Sequence, residues 1–191
     1  MPLFDKIKGE RIYNSNHWPP LFKEYIEAEN NFLLKNVKNG NVVDFGCGNG
    51  RHLKLLSNQI DKGFGIDESK RMIKLAEKGK LSNITFISGD FFNYQIMPKS
   101  FDYSLCLNNT FGNIIRREKE LLSKMLKVTK KCGIVILSVQ NEYSIETKIQ
   151  LYKNLGLQNI RQKGKCITTD EGVMSRYFTK NDLECLFNKF E

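Results

Sequence analysis

Histidine is scarce, cysteine is scattered and long apolar runs are missing from this sequence. Its 191 residues include 2 histidines and 5 cysteines, and the cysteines show no C-x-x-C spacing. This set is a poor basis for a zinc centre, so we expect no bound metal. An odd number of cysteines also argues against a disulfide framework and favours the reducing cytoplasm. No apolar run approaches the ~18 residues that span a bilayer, and the N-terminal residues lack the apolar core of a secretory signal.

The composition predicts one globular domain over residues 1–191. Apolar residues make up 40% and charged residues 27% of the chain, as in ordinary globular proteins. Lysine and arginine number 30 against 21 acidic residues, which gives a formal net charge of +9. Basic residues concentrate in 116–131 and 153–165. Such clusters occur in nucleic-acid-binding proteins, so RNA stays open as a partner, although no RNA-binding motif is present.

Strand and helix patterns alternate up to about residue 140. An amphipathic pattern with Phe22, Ile26, Leu33 and Val37 on one face predicts a helix at the start. Short apolar runs then alternate with segments of helical spacing. This alternation favours an α/β fold, a Rossmann-like parallel sheet of about five strands with helices on both faces. The predicted strands cover residues 41–45, 63–66, 84–88, 101–107 and 133–139.

Beyond residue 140 the pattern changes. A helical stretch ends at Gly156, and two polar, β-leaning stretches follow, 157–168 and 173–178. They flank Asp170-Glu171-Gly172, which is typical of a hairpin turn. A final helix begins at Thr179, where Thr179-x-x-Asp182 indicates a capping box.

The most informative stretch is a glycine-rich loop within Val43-Asp-Phe-Gly-Cys-Gly-Asn-Gly-Arg51. Glycines at alternate positions let the backbone approach a ligand closely. The spacing departs from the dinucleotide fingerprint G-x-G-x-x-G, because the third glycine comes one residue early. No Gly-Lys-Ser/Thr follows, which excludes a P-loop. With Asp44 beside it, the loop favours a nucleoside ligand whose nearby group is cationic.

Two further acids end the next two predicted strands. Asp67 lies at the tip of the second strand, where a carboxylate can accept hydrogen bonds from both ribose hydroxyls. Asp90 ends the third strand beside Phe91, a position suited to an adenine amino group and ring. Open α/β sheets bind ligands at the carboxyl ends of parallel strands, so we expect one site there.

Four segments together resemble the class I S-adenosylmethionine-dependent methyltransferases: VVDFGCGNG, GIDES, ITFISGDFF and FDYSLCLNNTFGNI. The resemblance covers about residues 40–140 and implies S-adenosylmethionine as donor and S-adenosylhomocysteine as product. It implies that the glycines wrap the methionine part and ribose, that Asp44 helps to hold the loop and the donor's ammonium, and that Leu107 and Asn108 line the sulfonium side. The implied donor-binding residues are Asp44, Gly46, Cys47, Gly48, Gly50, Asp67, Glu68, Asp90, Phe91, Leu107 and Asn108.

The segment CLNNTFGNI is similar to a motif of glycine N-methyltransferase-like enzymes, which act on small amines. We therefore expect methyl transfer to a small-molecule acceptor, at an amine nitrogen, by in-line displacement. The alternatives are an RNA or protein acceptor and a non-catalytic donor-binding subunit of a complex. Residues 1–39 would form a helical lid, 40–140 the donor-binding core, and 141–191 the hairpin and final helix.

The acceptor side is less defined by the sequence. Tyr13, His17 and Asn109 are candidate catalytic residues, and Trp18, Asn109 and Arg176 are candidates for acceptor binding. Each also has an ordinary structural interpretation. Tyr13 and Trp18 can pack on the core, His17 can be solvated, Asn109 can cap a helix, and Arg176 can belong to a surface strand pair.

The family's sheet usually ends in two antiparallel strands after the last helix. Those two strands are missing from the pattern here, so either the hairpin covers the sheet edge or the edge stays open. An open edge exposes unpaired backbone groups and favours a homo-oligomer.

Overall fold

The fold is described from a computed structural model that covers residues 5, 11 and 13–190. Its centre is one sheet of five strands, all parallel. The strands are β1 (Asn41–Phe45), β2 (Lys62–Asp67), β3 (Ile84–Ser88), β4 (Phe101–Cys106) and β5 (Thr129–Leu137). They lie side by side in the order β3-β2-β1-β4-β5. This arrangement confirms the predicted Rossmann-like sheet.

Helices connect and flank these strands. They are α1 (Pro20–Asn36), α2 (Arg51–Leu56), α3 (Lys70–Ala76), α4 (Thr110–Asn113), α5 (Glu118–Val128), α6 (Ile145–Asn154) and α7 (Lys180–Phe187). The four apolar residues that predicted α1, from Phe22 to Val37, are all buried. The pattern does not predict α4, because four residues are too few to show a helical period.

Both faces of the sheet are covered, as the apolar runs predict. Successive side chains of a strand point to opposite faces, and neighbouring valines of β1 show this. Val42 packs in one apolar cluster with Leu33 of α1 and Leu53 of α2. Val43 packs in another with Leu121 of α5. The helices therefore form a layer on each side of the sheet.

Strand β5 begins at Thr129, earlier than the predicted start at Gly133. The Thr129 hydroxyl donates to Met125 O at 2.6 Å and lies 2.7 Å from Ser104 Oγ. These bonds join the end of α5 directly to the start of the strand. A register shift in the pairing of β4 with β5 accommodates the extra residues, which have no apolar pattern of their own.

The C-terminal region forms a second, antiparallel sheet in the order β6-β7-β8. Its strands are β6 (Arg161–Lys163), β7 (Cys166–Thr168) and β8 (Met174–Arg176). The predicted turn lies between β7 and β8, where Gly172 N donates to Thr169 O at 3.1 Å. The stretch 157–168 differs from the single β-leaning segment expected. It reverses at Gly164, whose φ of +56° suits a tight turn, and so contributes two strands.

This second sheet does not extend the first. Phe178 N donates to Gln140 O at 2.8 Å, which attaches the chain beyond the carboxyl end of β5. Within residues 13–190 no strand pairs with the outer edge of β5, in agreement with the missing pattern for two further strands. The homo-oligomer expected at that edge stays a prediction.

Helix α7 closes the described part of the chain. Its capping box at Thr179 and Asp182 is formed as predicted, and Leu183, Leu186 and Phe190 pack against the same core face as α5. Among the residues described, no helix combines the length and the apolarity needed to cross a bilayer.

Candidate functional site

A cavity of about 350 Å³ lies at the carboxyl ends of the central strands. Segments that follow β1, β2, β3 and β4 all contribute to its lining, so residues far apart in sequence meet there. The predicted site residues that line it are Tyr13, Gly46, Cys47, Gly48, Asp67, Glu68, Asp90, Phe91, Leu107 and Asn108.

The glycine loop is fastened to β2 by backbone hydrogen bonds. Gly46 N and Cys47 N donate to Ile66 O at 2.8 and 3.2 Å. Gly48 N donates to Asp67 Oδ2 at 2.9 Å. The acid that was predicted to bind ribose therefore also holds the loop in place.

Asp67 is a buried carboxylate with few other partners in the chain. Its Oδ1 accepts a hydrogen bond from Ser69 N at 2.9 Å. Burial raises the pKa of Asp67 to about 6, against the opposing effect of the amides of Ser69 and Gly48. Asp67 is thus ionised at neutral pH and takes up a proton in mildly acidic solution.

Asp90 and Phe91 form the part of the lining that follows β3. Asp90 Oδ1 accepts from Phe92 N at 2.8 Å, and Oδ2 accepts from Asn93 Nδ2 at 2.7 Å. The Phe91 ring packs edge-on against Phe45, with centroids 6.0 Å apart. A carboxylate and an aromatic ring thus lie together where the sequence predicts adenine to bind.

Tyr13 reaches the glycine loop from the N-terminal segment. A Cβ atom added to Gly48 would lie 2.0 Å from the Tyr13 hydroxyl, and the φ of Gly48 is +54°. Position 48 therefore needs glycine for its backbone conformation and for space. Burial, with the nearby charge of Asp67, raises the pKa of Tyr13, so its phenol stays protonated.

Beside the cavity lies a buried ionic cluster that the sequence analysis missed. Glu29 Oε2 lies 2.7 Å from Arg51 Nη2 and 2.9 Å from His52 Nε2, and His52 Nδ1 lies 3.5 Å from Asp44 Oδ2. Burial opposes charge here, yet the hydrogen bond from His52 holds the pKa of Glu29 well below its usual value. Hydrogen bonds to Asp44 and Glu29 likewise raise the pKa of His52 despite its burial.

The other oxygen of Glu29 joins α1 to the ends of two strands. Glu29 Oε1 accepts from Tyr25 Oη at 2.7 Å, from Asn108 N at 3.2 Å and from Ser138 Oγ. A signal for this role exists in the sequence. Glu29 continues the spacing of the buried face of α1, a place where an unpaired acid would be costly.

Two predicted donor-side residues support the loop without lining the cavity. Asp44 is 1% exposed and contacts His52 behind the loop. Gly50, at φ +76°, is the residue before α2, and the Phe86 ring packs against its Cα side. Their direct contacts with a donor stay predictions.

The N-terminal candidates other than Tyr13 lie outside the cavity lining. Trp18 packs edge-on against Phe22, with ring centroids 5.5 Å apart. His17 ends a short 3-10 turn, and its carbonyl accepts from Asn154 Nδ2 at 2.9 Å. Both residues join the N-terminal segment to the rest of the fold.

Asn109 and Arg176 also lie outside the lining: Asn109 bonds to β8 of the second sheet, and Arg176 pairs with α5. Asn109 Nδ2 donates to Ser175 Oγ at 2.9 Å, and its Oδ1 accepts from Gln140 N at 3.0 Å. Its amide makes no capping bond to α4, although it occupies the cap position. Arg176 Nη1 lies 2.9 Å from Glu118 Oε1.

The far wall of the cavity was not predicted. It includes Asn113 of α4, Lys148 and Tyr152 of α6, and Val173 from the turn before β8. Lys148 lies on the same helix face as Tyr152 and is 7% exposed. As with Glu29, the signal is a charged residue at an apolar position of a helix.

The near wall suits a nucleoside that carries a cationic group. Asp67, Glu68 and Asp90 supply carboxylates, and the glycine loop leaves room for close approach to its backbone. S-adenosylmethionine, with its ribose hydroxyls, ammonium and sulfonium, fits that donor set. The described residues contain no group of three or more His, Cys, Asp or Glu side chains placed to hold a metal ion.

Comparison with known proteins gives relatives along most of the chain. An uncharacterized protein of Methanocaldococcus jannaschii is 28% identical over 176 residues, which are 91% of this chain and 63% of that protein. The chain thus spans less than two thirds of that relative's length.

Solved structures share the fold. A protein of Pyrococcus horikoshii is 21% identical with a TM-score of 0.70, over 90% of this chain and 82% of the other. A Thermotoga maritima protein, described as an S-adenosylmethionine-dependent methyltransferase and possible histamine N-methyltransferase, is 20% identical with a TM-score of 0.66, over 98% and 78%.

The family assignment rests on the sequence itself. Residues 36–189 match the family described as a methyltransferase domain, and this range contains the glycine loop, Asp67 and Asp90. The resemblance of the four segments is thereby confirmed. The chain belongs to the methyltransferase domain family.

Proposed function

We propose that this chain transfers the methyl group of S-adenosylmethionine to the amine nitrogen of a small molecule. One observation carries the proposal. Nine of the eleven predicted donor residues and the unpredicted far wall line one cavity of about 350 Å³, a size within the range of small-ligand sites. Donor and acceptor can therefore meet there.

On the donor side, Asp67 would accept hydrogen bonds from the ribose hydroxyls, and Asp90 with Phe91 would hold adenine. The glycine loop would hold the methionine part. Leu107 and Asn108 line the same cavity and would face the sulfonium. The donor supplies an already activated methyl group, so the chain needs chiefly to align the acceptor and exclude water.

On the acceptor side, Asn113 favours a molecule that carries an N–H group. Asn113 lines the cavity, and its Oδ1 is buried without a hydrogen-bond partner in the described structure. A buried amide oxygen gains from any donor that reaches it. An amine N–H bound to this oxygen leaves the nitrogen lone pair free to attack the methyl carbon. As the nitrogen–carbon bond forms, the carbon–sulfur bond of the sulfonium breaks and its electron pair stays on sulfur, which yields S-adenosylhomocysteine. The methylated ammonium then releases its proton to solvent.

The states and positions of the three candidate catalytic residues favour a nucleophile that needs no base. Tyr13 stays protonated because burial raises its pKa. His17 lies outside the cavity lining, and the amide of Asn109 is already hydrogen-bonded. A neutral amine attacks directly, whereas an alcohol would need a base beside it.

The basic surface gives less support to an RNA acceptor. Several of the clustered cations already have partners. Lys124 Nζ donates to Phe92 O at 2.9 Å, Lys130 Nζ lies 2.8 Å from Asp102 Oδ1, and Lys165 Nζ lies 2.6 Å from Asp182 Oδ2. The acceptor of the proposal is therefore a small molecule, with RNA as an outcome of the test. We place the reaction in the cytoplasm, since the five cysteines are free.

The test is a transfer assay with the purified chain and methyl-labelled S-adenosylmethionine. The acceptors are a panel of small primary and secondary amines, matched alcohols and bulk RNA. We expect label in an amine, with S-adenosylhomocysteine formed in equal amount. Transfer to RNA alone, with a steep loss of activity in salt, would overturn the acceptor class. Donor binding without transfer to any acceptor would favour a non-catalytic subunit.

A further inference from the structure

Lys148 is a buried cation in the cavity wall. It belongs to α6, lines the cavity and is 7% exposed. Its Nζ lies 5.0 Å from the centroid of the Tyr152 ring. Among the residues described, no carboxylate lies within ion-pair distance of it.

The two arginines of the lining each have an acidic partner. Arg51 Nη2 lies 2.7 Å from Glu29 Oε2, and Arg117 Nη2 lies 2.7 Å from Glu120 Oε1. Burying an ammonium without an anion is unfavourable. Burial accordingly lowers the pKa of Lys148 to about 8, so the group is still mostly charged at neutral pH.

We infer that Lys148 binds a carboxylate of the acceptor, so that the acceptor of the proposed function is a small amine that also carries an acidic group. This inference rests on the proposed function and narrows its substrate class. A single ammonium balances a single negative charge, which favours a carboxylate over a doubly charged phosphate.

The residues around Lys148 indicate the chemical character of the rest of such an acceptor. Phe22, Leu151 and Val173 line the cavity near Tyr152, so the carbon skeleton between the two polar groups lies against apolar walls. The ring of Tyr152 adds a face that tolerates the cation. Asn113 Oδ1 would take the amine N–H, and Lys148 the carboxylate.

The charge of Lys148 also bears on the amine itself. Two cations in one buried cavity repel each other, so a nearby acceptor amine is bound more readily in its neutral form. The neutral amine is the form with a free lone pair. Lys148 would then act as a binding and positioning residue, with no proton transfer of its own.

The test uses the full chain saturated with S-adenosylhomocysteine. The probes are two matched pairs, phenylacetate with phenylacetamide and propionate with propionamide, titrated by calorimetry. Each titration is run at pH 8.5 in two buffers that differ in ionisation enthalpy, which measures proton uptake. The variant is Lys148→Met, an uncharged side chain one atom shorter, and the control is Lys153→Met at an exposed position of the same helix.

We expect the wild-type chain to bind at least one carboxylate about tenfold more tightly than its amide, with proton uptake as the pKa of Lys148 returns upward. Lys148→Met should lose both the preference and the proton uptake, and Lys153→Met should keep both. All three proteins should bind S-adenosylhomocysteine equally well, because Lys148 lies in the far wall.

Equal binding of acid and amide by the wild-type chain in both pairs would overturn the inference, even if no variant folds. A preference that survives in Lys148→Met would do the same. Failure of the wild-type chain to bind S-adenosylhomocysteine would instead contradict the proposed function, and so the two failures are distinguishable.

Discussion

The two walls of the cavity are built in different ways. The near wall, called the donor wall below, consists of short segments that directly follow consecutive parallel strands. Its key groups are backbone amides and the carboxylates of Asp67 and Asp90. The far wall, called the acceptor wall below, comes from α4, α6 and the turn before β8. The first kind of site is recorded in local sequence patterns, whereas the second depends on how distant elements pack. In the proposed function, a donor common to many enzymes is held by the first, and the second is free to differ between them.

Glu29 joins α1 to the donor wall through Arg51, His52 and Asn108 N, and its loss should have the largest effect. Glu29→Gln removes a buried charge that is paired with Arg51 and His52. We expect the free energy of unfolding to fall by about 3 kcal/mol, measured by urea denaturation. The control is Glu27→Gln on the exposed face of the same helix, which should change little. Equal losses in both variants would contradict a specific role for the cluster.

The same cluster gives the stability a dependence on pH. The pKa of Glu29 is lowered in the folded state, so its contribution is present above the ordinary pKa of a glutamate and is lost as the pH falls. The pKa of His52 is raised, so its contribution is present below the ordinary value of histidine and is lost as the pH rises. In Glu29→Gln, the free energy of unfolding should vary less with pH on both the acidic and the basic side.

Asp67→Ala tests the donor wall alone. Removing a charged acceptor of the ribose hydroxyls should weaken S-adenosylhomocysteine binding by about 1.5–3 kcal/mol, or roughly 10- to 150-fold. Calorimetry measures the change, with Glu77→Ala as an exposed control. Unchanged affinity in Asp67→Ala would show that the ribose lies elsewhere.

The pH dependence of donor binding sharpens this test. Because the pKa of Asp67 is about 6, the donor-free protein gains a proton at that carboxylate as the pH falls below 6. Donor affinity should then drop progressively in the wild-type chain. In Asp67→Asn the drop should be absent, and a fall of the same size in both proteins would assign the titration to another group.

A substitution in the glycine loop should have the next largest effect. Gly48→Ala forces a Cβ against the Tyr13 hydroxyl at a φ of +54°, so donor affinity should fall by about tenfold or more. Gly79→Ala is a matched control, since Gly79 has a φ of +82° with nothing within 4 Å of the added Cβ. It should cost about 1 kcal/mol of stability and leave donor binding intact. Equal donor affinity in the two variants would argue against crowding at position 48.

The smallest effect should come from the acceptor wall and should have the opposite sign. Lys148→Met replaces a buried, unpaired cation with an apolar side chain of similar length. We expect the free energy of unfolding at pH 7 to rise by about 1 kcal/mol. The pKa of Lys148 is lowered to about 8, so its destabilising charge is present below pH 8 and fades between 8 and the ordinary value of lysine. The advantage of Lys148→Met should shrink over that range; destabilisation at pH 7 would mean that the ammonium has a stabilising partner.

The positions of the parallel strands along the chain and the donor wall follow from sequence because each rests on consecutive residues. The run from Val43 to Arg51 contains the end of β1, the glycine loop and the start of α2. Its apolar pattern and its glycines are therefore enough to predict this part of the site. The acid at the tip of β2 follows from the same alternation. Chain reversal at Gly164, with a lysine after it, has no comparably strong signal, and a single strand was expected there.

The acceptor wall and the ionic cluster beside the cavity could not be predicted because each contains a charged residue at an apolar helix position. Lys148 and Glu29 interrupt helix faces that otherwise read as core, and only the three-dimensional contacts show that one is paired and the other is not. Asn109 and Arg176 illustrate the converse. The Asn109 amide bonds to Ser175 of the second sheet, and the Arg176 guanidinium pairs with Glu118 of α5.

The most direct measurement is a calorimetric titration of the chain with S-adenosylmethionine and S-adenosylhomocysteine, with NAD as the control. Micromolar binding of the two sulfur-containing nucleosides and no binding of NAD is the predicted result. Tight binding of NAD, or no binding of either nucleoside by a folded chain, would contradict the assignment of the donor wall.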